Sequence, residues 1–123
     1  MFSAEFALTE LSPEIADQVT EFITRTVSEN PVVVFMKGEP DQPRCGFSAV
    51  LVQILDHLGV EYAGVDVLQS EPLRQGIKAY SDWPTIPQLY VKGEFVGGSD
   101  IVREMFQNGE LKAMLVEQGV LAG

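Results

Sequence analysis

The chain has 123 residues, 46% of them hydrophobic, which is enough for one domain with a proper core and requires no second. With 18 acidic residues against 8 lysines and arginines the net charge is -10. That balance excludes the basic footprint nucleic-acid phosphates require and predicts repulsion from anionic membrane surfaces. A single cysteine, Cys45, excludes an intramolecular disulfide, a CxxC redox pair and an all-protein four-cysteine metal site, so any disulfide or cluster must recruit a second molecule.

Residues 1–11 show no firm pattern and read as a flexible N-terminal arm. They lack the basic and apolar regions of a secretory signal, and acidic Glu5 and Glu10 without arginine speak against a transit peptide. No apolar stretch approaches membrane-spanning length, so a cytoplasmic, reducing location is expected. Ser12-Pro13-Glu14 is a helix start, with Ser as N-cap and Pro at the first helical position. The helix then aligns Ile15, Val19, Phe22, Ile23 and Val27 until Asn30-Pro31 ends it.

Val32-Val33-Val34-Phe35-Met36 is a continuous apolar run suited to a strand buried on both faces. The proline-rich loop Pro40-Asp41-Gln42-Pro43-Arg44 follows and delivers Cys45 to the start of a helix whose Phe47, Val50, Leu51, Ile54 and Leu58 recur at helical spacing up to Gly59. A helix N-terminus favours a thiolate, and Lys37 and Arg44 add positive charge nearby. A polar loop is an unsuitable wall for an inert core cysteine. The sulfur is therefore the candidate reactive group, suited either to attack on disulfides or to metal binding, and Gly46 permits close approach of backbone to whatever it holds.

The stretch 61–67 reads as a second strand, and Ser70-Glu71-Pro72 opens a helix with Leu73, Ile77 and Tyr80 on one face. Strand, helix and strand in this order imply a right-handed βαβ unit with parallel strands, the sulfur lying at the carboxyl end of the first. After Trp83-Pro84-Thr85-Ile86-Pro87, two short runs around Lys92-Gly93 predict an antiparallel hairpin. Gly97-Gly98-Ser99-Asp100 then opens a helix over 101–108 with Asp100 as N-cap, and 111–118 forms a last short helix. His57, three turns beyond the sulfur, reads as a surface or packing residue and not as a base.

This α/β order, with a helix-initial cysteine and Thr85-Ile86-Pro87 at the hairpin entrance, resembles the thioredoxin-like fold, a four-stranded mixed sheet flanked by helices. Met36-Lys37-Gly38, Cys45-Gly46-Phe47-Ser48, Trp83 to Pro87 and Gly97-Gly98-Ser99-Asp100 resemble the monothiol glutaredoxins of the Cys-Gly-Phe-Ser class. The resemblance covers residues 12–123 as a single domain. It implies a cis bond before Pro87 and backbone at Ile86 that pairs with the cysteinyl part of glutathione. It assigns the glycine carboxylate to Lys37 and Arg74, with Gln42 beside them, and the γ-glutamyl end to Ser99 and Asp100; Phe47 and Trp83 are candidates for the rim, although aromatic residues more often serve packing than recognition. Cations at one end and an acid plus free N–H groups at the other suit a zwitterionic tripeptide. Many relatives carry cysteine where this chain has Ser99, so an intramolecular redox switch is excluded here.

The resemblance further implies a [2Fe-2S] cluster shared between two subunits. Four thiolates are needed and each chain offers Cys45 alone, so two glutathiones complete the set in a cluster-bridged homodimer. A BolA-type protein and apo iron-sulfur acceptor proteins are the implied partners, in iron-sulfur protein maturation and iron homeostasis. The alternative is a glutathione-dependent oxidoreductase, with catalytic Cys45 attacking a mixed disulfide and a second glutathione resolving it. Ser48 in place of a resolving cysteine favours the first expectation: primarily a carrier, with weak oxidoreductase activity.

Overall fold

The computed structural model describes residues 12–123; the arm expected over 1–11 lies outside them. Helix α1 (Pro13–Glu29) starts where the Ser12 hydroxyl accepts the Ile15 N–H at 3.2 Å, with Pro13 at the first position, and ends as Asn30 adopts extended backbone. Strand β1 (Val32–Met36) follows at once. A two-stranded ribbon of β2 (Gly38–Glu39) and β3 (Gln42–Pro43), which the sequence pattern did not indicate, occupies the loop before Cys45. Helix α2 (Gly46–Leu58) stops at Gly59, whose φ of 75° is the left-handed conformation that glycine adopts without strain.

The rest of the sheet comes from β4 (Ala63–Asp66), β5 (Gln88–Val91) and β6 (Glu94–Gly97). Helix α3 (Glu71–Ser81) lies between β4 and β5, and α4 (Ser99–Gln107) and α5 (Glu110–Glu117) close the chain. The strand order is β4-β1-β5-β6, with β1 parallel to β4 and antiparallel to β5, and β5 antiparallel to β6. This is the four-stranded mixed sheet of a thioredoxin-like fold. The β5-β6 hairpin turns on Lys92 and Gly93, both at positive φ (52° and 82°), as a two-residue turn matched to strand twist requires.

All five residues of β1 are buried, and the strand feeds two cores. Val32, Val34 and Met36 share one with Leu51 and Leu55 of α2, Val102 of α4, and Leu111 and Leu115 of α5. Val33 and Phe35 share the other with Ile23 and Val27 of α1, Leu73 and Ile77 of α3, and Tyr90, whose ring meets Phe35 edge-on at 5.5 Å. Fully burying each such side chain is worth about 1.5–3 kcal/mol.

Three elements differ from expectation. Strand β4 spans four residues instead of 61–67, because the Asp66 carboxylate accepts the Leu68 N–H at 2.9 Å and turns the chain into a 3-10 segment, Val67–Gln69. Leu73 and Ile77 are buried, but Tyr80 in the last turn of α3 is 39% exposed. Helix α4 is capped by Gly98 and not by Asp100: Gly98 has extended backbone and its carbonyl accepts the Val102 N–H, which starts the helix at Ser99. Asp100 sits inside the first turn, where its charge favours the helix dipole without capping it.

Candidate functional site

Cys45 is the N-cap residue of α2, half-buried and unpaired, with extended backbone. Burial pushes its thiol toward the neutral form. The Ser48 and Phe47 N–H groups, the Lys37 charge and the Ser48 hydroxyl outweigh that and hold it below the ordinary thiol value. No side-chain cap bond of the usual geometry closes onto the helix from the sulfur, so the stabilisation comes from the first-turn N–H groups, a nearby cation and the Ser48 hydroxyl. Ser48 itself is fully buried, and its Oγ accepts the Lys37 N–H at 3.1 Å, tying the end of β1 to the first turn of α2.

Strand register gathers the other parts at the same end of the sheet. Phe35 pairs with Gln88, so Pro87 and Ile86 run past Met36 just where the chain leaves β1 for Lys37. The Ile86-Pro87 peptide is cis, and Ile86 is 6% exposed. Leu89 pairs with Gly97, which brings Gly98 against Pro87: a Cβ on Gly98 would stand 3.4 Å from the Pro87 carbonyl oxygen and 3.2 Å from Trp83 Nε1. Lys37, Cys45, Ile86-Pro87 and Ser99 are thereby gathered at one end of the sheet. Helix α4 has no side-chain cap, which leaves the N–H groups of its first turn, at Ser99 and Asp100, without a side-chain acceptor among the described residues. The Asp100 carboxylate is exposed and meets Arg103 of its own helix at 3.5 Å.

Arg74 and Lys78, one turn apart on α3, bring positive charge to this end of the sheet. Burial first, then the charges of Arg74 and Lys37, lower the Lys78 pKa, which places the three cations within electrostatic reach of one another. Arg74 makes a loose 3.7 Å pair with Glu71, and its buried Nε–H has no partner among the described residues. Gln42 is exposed in β3 opposite Glu39, and Phe47 is 61% exposed beside the sulfur. His57 is exposed and stacks edge-on with Phe106, away from the thiol.

Sequence reasoning passed over three residues here. Lys78 was hidden because a lone lysine on a helix carries no pattern. Gln88 is fully buried; its Nε2 donates to the Trp83 and Thr85 carbonyls at 3.2 and 3.1 Å, and its Oε1 accepts the Tyr90 hydroxyl at 3.3 Å. It clamps the segment that carries Ile86 and Pro87. Asp66 bonds both Gly38 and Leu68. Polar residues in a strand sequence carry no mark of what they bond.

Among the described residues no group of three or more His, Cys, Asp or Glu side chains is placed to hold a metal ion. Cys45 alone offers a thiolate, so any cluster ligated here draws its remaining ligands from other molecules. Two surface clefts, of about 530 and 510 Å³, lie at the start of β1 and between α2 and α4, and neither is lined by Cys45. The site is marked by its chemistry and not by cavity size. No helix among the described residues is long and apolar enough to cross a membrane.

A single activated thiol at a helix N-terminus, beside a cis-proline of a thioredoxin-like sheet, defines a monothiol protein of that fold class. The family model for glutaredoxin matches residues 32–96. The chain is 53% identical over 105 residues to an uncharacterised ycf64-like monothiol glutaredoxin of Synechocystis, covering 85% of this chain and 94% of the relative. It is 52% identical over 98 residues to a probable monothiol glutaredoxin 2 of Rickettsia typhi, covering 80% and 88% respectively. A crystal structure of a buckwheat glutaredoxin-glutathione complex superposes with a TM-score of 0.80 at 26% identity, covering 91% of this chain and all of that one. The chain belongs to the glutaredoxin family, among its monothiol members of the Cys-Gly-Phe-Ser class.

Proposed function

We propose that the chain binds glutathione at the Cys45 end of the sheet and uses it to carry a [2Fe-2S] cluster between proteins. The observation that supports the glutathione reading is the charge arrangement. Lys37, Arg74 and Lys78 lie together on one side, and the first turn of α4, which lacks a side-chain cap, lies with Asp100 across the cis-proline segment. A zwitterionic tripeptide meets cations at its glycine carboxylate, the backbone at Ile86 before the cis-proline for its cysteinyl part, and N–H groups plus an acid at its γ-glutamyl end. Gln42 and Phe47 contribute to the rim.

The cluster is cargo. Cys45 of each of two copies and two glutathione thiols supply its four ligands, giving a bridged homodimer. A glutathione thiol exchanges with solvent glutathione, which suits release to an apo acceptor, and a BolA-type protein is a candidate to replace one copy. The chain is on this reading primarily a carrier and not an enzyme. The second reading, removal of glutathione from protein thiols, draws on the same lowered thiol pKa, because a thiolate is the attacking species. With Ser48 where a resolving thiol would stand, that activity would be weak.

Anaerobic reconstitution with iron, sulfide and glutathione, followed by absorption spectroscopy and mass measurement, separates the two. The carrier reading expects a coloured dimer with one cluster per two chains that requires glutathione and is lost in Cys45→Ser. A colourless monomer that rapidly reduces glutathione mixed disulfides would transfer the assignment to the oxidoreductase. Lys37→Ala with unchanged glutathione affinity would remove that side chain from the groove.

A further inference from the structure

We propose that Asp66, at the end of β4, is a positioning residue for the glutathione site: its carboxylate pins the corner at Lys37 and Gly38 from which both the cation and the Cys45 loop depart. The inference rests on the glutathione reading above and names a residue outside that groove. Each peptide group around Lys37 is held. Its N–H is accepted by Ser48 Oγ at 3.1 Å, and its carbonyl accepts the N–H of Arg44, the residue before Cys45, at 2.9 Å. The next N–H, that of Gly38, is accepted by Asp66 Oδ1 at 3.0 Å. The first two bonds come from the cysteine's own segment and would move with it. The third comes from β4, whose register sets Asp66 opposite Met36, and it anchors the corner to the sheet.

Two further observations show how tightly the loop is set against this anchor. Gly38 has a φ of 91°, and a Cβ there would stand 2.6 Å from the Arg44 nitrogen and the Gln42 carbonyl oxygen, so the loop folds back directly over the corner. A Cβ on Gly64, two residues before Asp66, would overlap the Pro40 ring. The end of β4 thus carries the loop at Pro40 and fixes its root at Gly38. A carboxylate that only terminated the strand would need Leu68 alone; here one oxygen accepts the N–H groups of residues 28 apart and 2 apart in sequence. Released from Asp66, the corner would shift the Lys37 ammonium and the sulfur together, relative to Arg74 and the cis-proline backbone.

The test follows amide NMR shifts of the full chain during titration with reduced glutathione, with hydrogen exchange of the Gly38 amide read on the same samples. Asp66→Asn loses the charge but keeps an acceptor oxygen in place, and affinity is expected to stay within about twofold of wild type. Asp66→Glu keeps the charge but displaces the oxygen by one methylene, and Asp66→Ala removes it; both are expected to weaken binding about tenfold and to speed Gly38 exchange. Asn and Glu keep a polar side chain, so the comparison stands even where Ala does not fold. Glu at wild-type affinity, or Asn as weak as Ala, would overturn the proposal, the latter by showing that charge and not the bond matters. Failure of wild type to bind glutathione would overturn the site reading itself, while the Gly38 exchange rates would still report whether the pin exists.

Discussion

Gln88→Leu isolates the clamp beneath the Ile86-Pro87 segment. The substitution nearly conserves volume, so cavity terms are small and the cost is polar. Nε2 releases the Trp83 and Thr85 carbonyls, which are partly buried and regain some water. The Tyr90 hydroxyl does worse, because Tyr90 is 2% exposed and the loss of its Gln88 acceptor at 3.3 Å leaves it only the Ser81 side chain. A buried hydroxyl that loses its Gln88 acceptor costs about 1–3 kcal/mol, and two part-buried bonds forfeit about 0.5–1 kcal/mol each, for a total of about 2–5 kcal/mol. In urea unfolding, with a slope of about 2 kcal/mol/M, this lowers the midpoint by about 1–2.5 M at an unchanged slope. The double variant Gln88→Leu/Tyr90→Phe removes the under-bonded hydroxyl and is expected to recover about 1 kcal/mol, a sign reversal for a substitution that costs stability in wild type. A loss below about 0.5 kcal/mol for Gln88→Leu, or no recovery in the double variant, would refute the reasoning.

Three other outcomes follow from the same physics. Alkylation of Cys45 by iodoacetamide is expected to reach half its maximal rate at a pH below that of a free thiol, and Lys37→Gln moves the midpoint up; a profile matching free cysteine contradicts the lowered pKa. Because the folded value lies below the unfolded one, this thiolate stabilises the fold above the unfolded pKa, and the contribution is lost as pH falls through the folded pKa. Burial pushes the Tyr90 phenol up to about 12. The unfolded chain ionises it near 10, so its contribution is complete below about pH 10 and is lost between about 10 and 12, and Tyr90→Phe flattens alkaline unfolding in that window. Gly76→Ala gains about 1 kcal/mol of helix propensity but drives its Cβ into Val19 Cγ1 of α1, whose β-branched side chain has little freedom to yield. Overpacking at about 1–3 kcal/mol outweighs the gain, so a lowered melting temperature is expected and a raised one would show that the α1-α3 contact relaxes.

What the sequence made legible was whatever repeats a period or spells a terminus. The β1 run, the Ser12 and Ser70 caps, the Gly59 stop and the Lys92-Gly93 turn each rest on contacts among neighbours in sequence, so a local pattern suffices to read them. Cys45 was legible because its helix begins where the polar loop ends. The β2-β3 ribbon was not, since two-residue strands carry no alternation. Asp66 ended β4 early by capturing an N–H, a competition between side chain and ladder that propensity does not register. The cap of α4 was assigned to Asp100 on residue preference, whereas the extended backbone at Gly98, set by its packing against Trp83 and Pro87, decided it. Lys78 meets Lys37, 41 positions away, only once the sheet has formed, and Gln88 bonds neighbours two to five positions away in a loop that carries no repeating pattern.

The central position of β1 ties the two halves of the molecule into one cooperative unit. Its alternate side chains belong to different cores, so neither helical layer can separate without exposing the strand the other layer depends on. Opening either layer therefore approaches the free energy of opening both, and the amides of Val33, Val34 and Phe35 are expected to exchange at the rate of global unfolding. Arg74 and Lys78 ride on one layer and Cys45 and Ser99 on the other. The groups proposed to grip the two ends of one tripeptide thus keep their separation for as long as the chain stays folded, and lose it all at once when the strand is released.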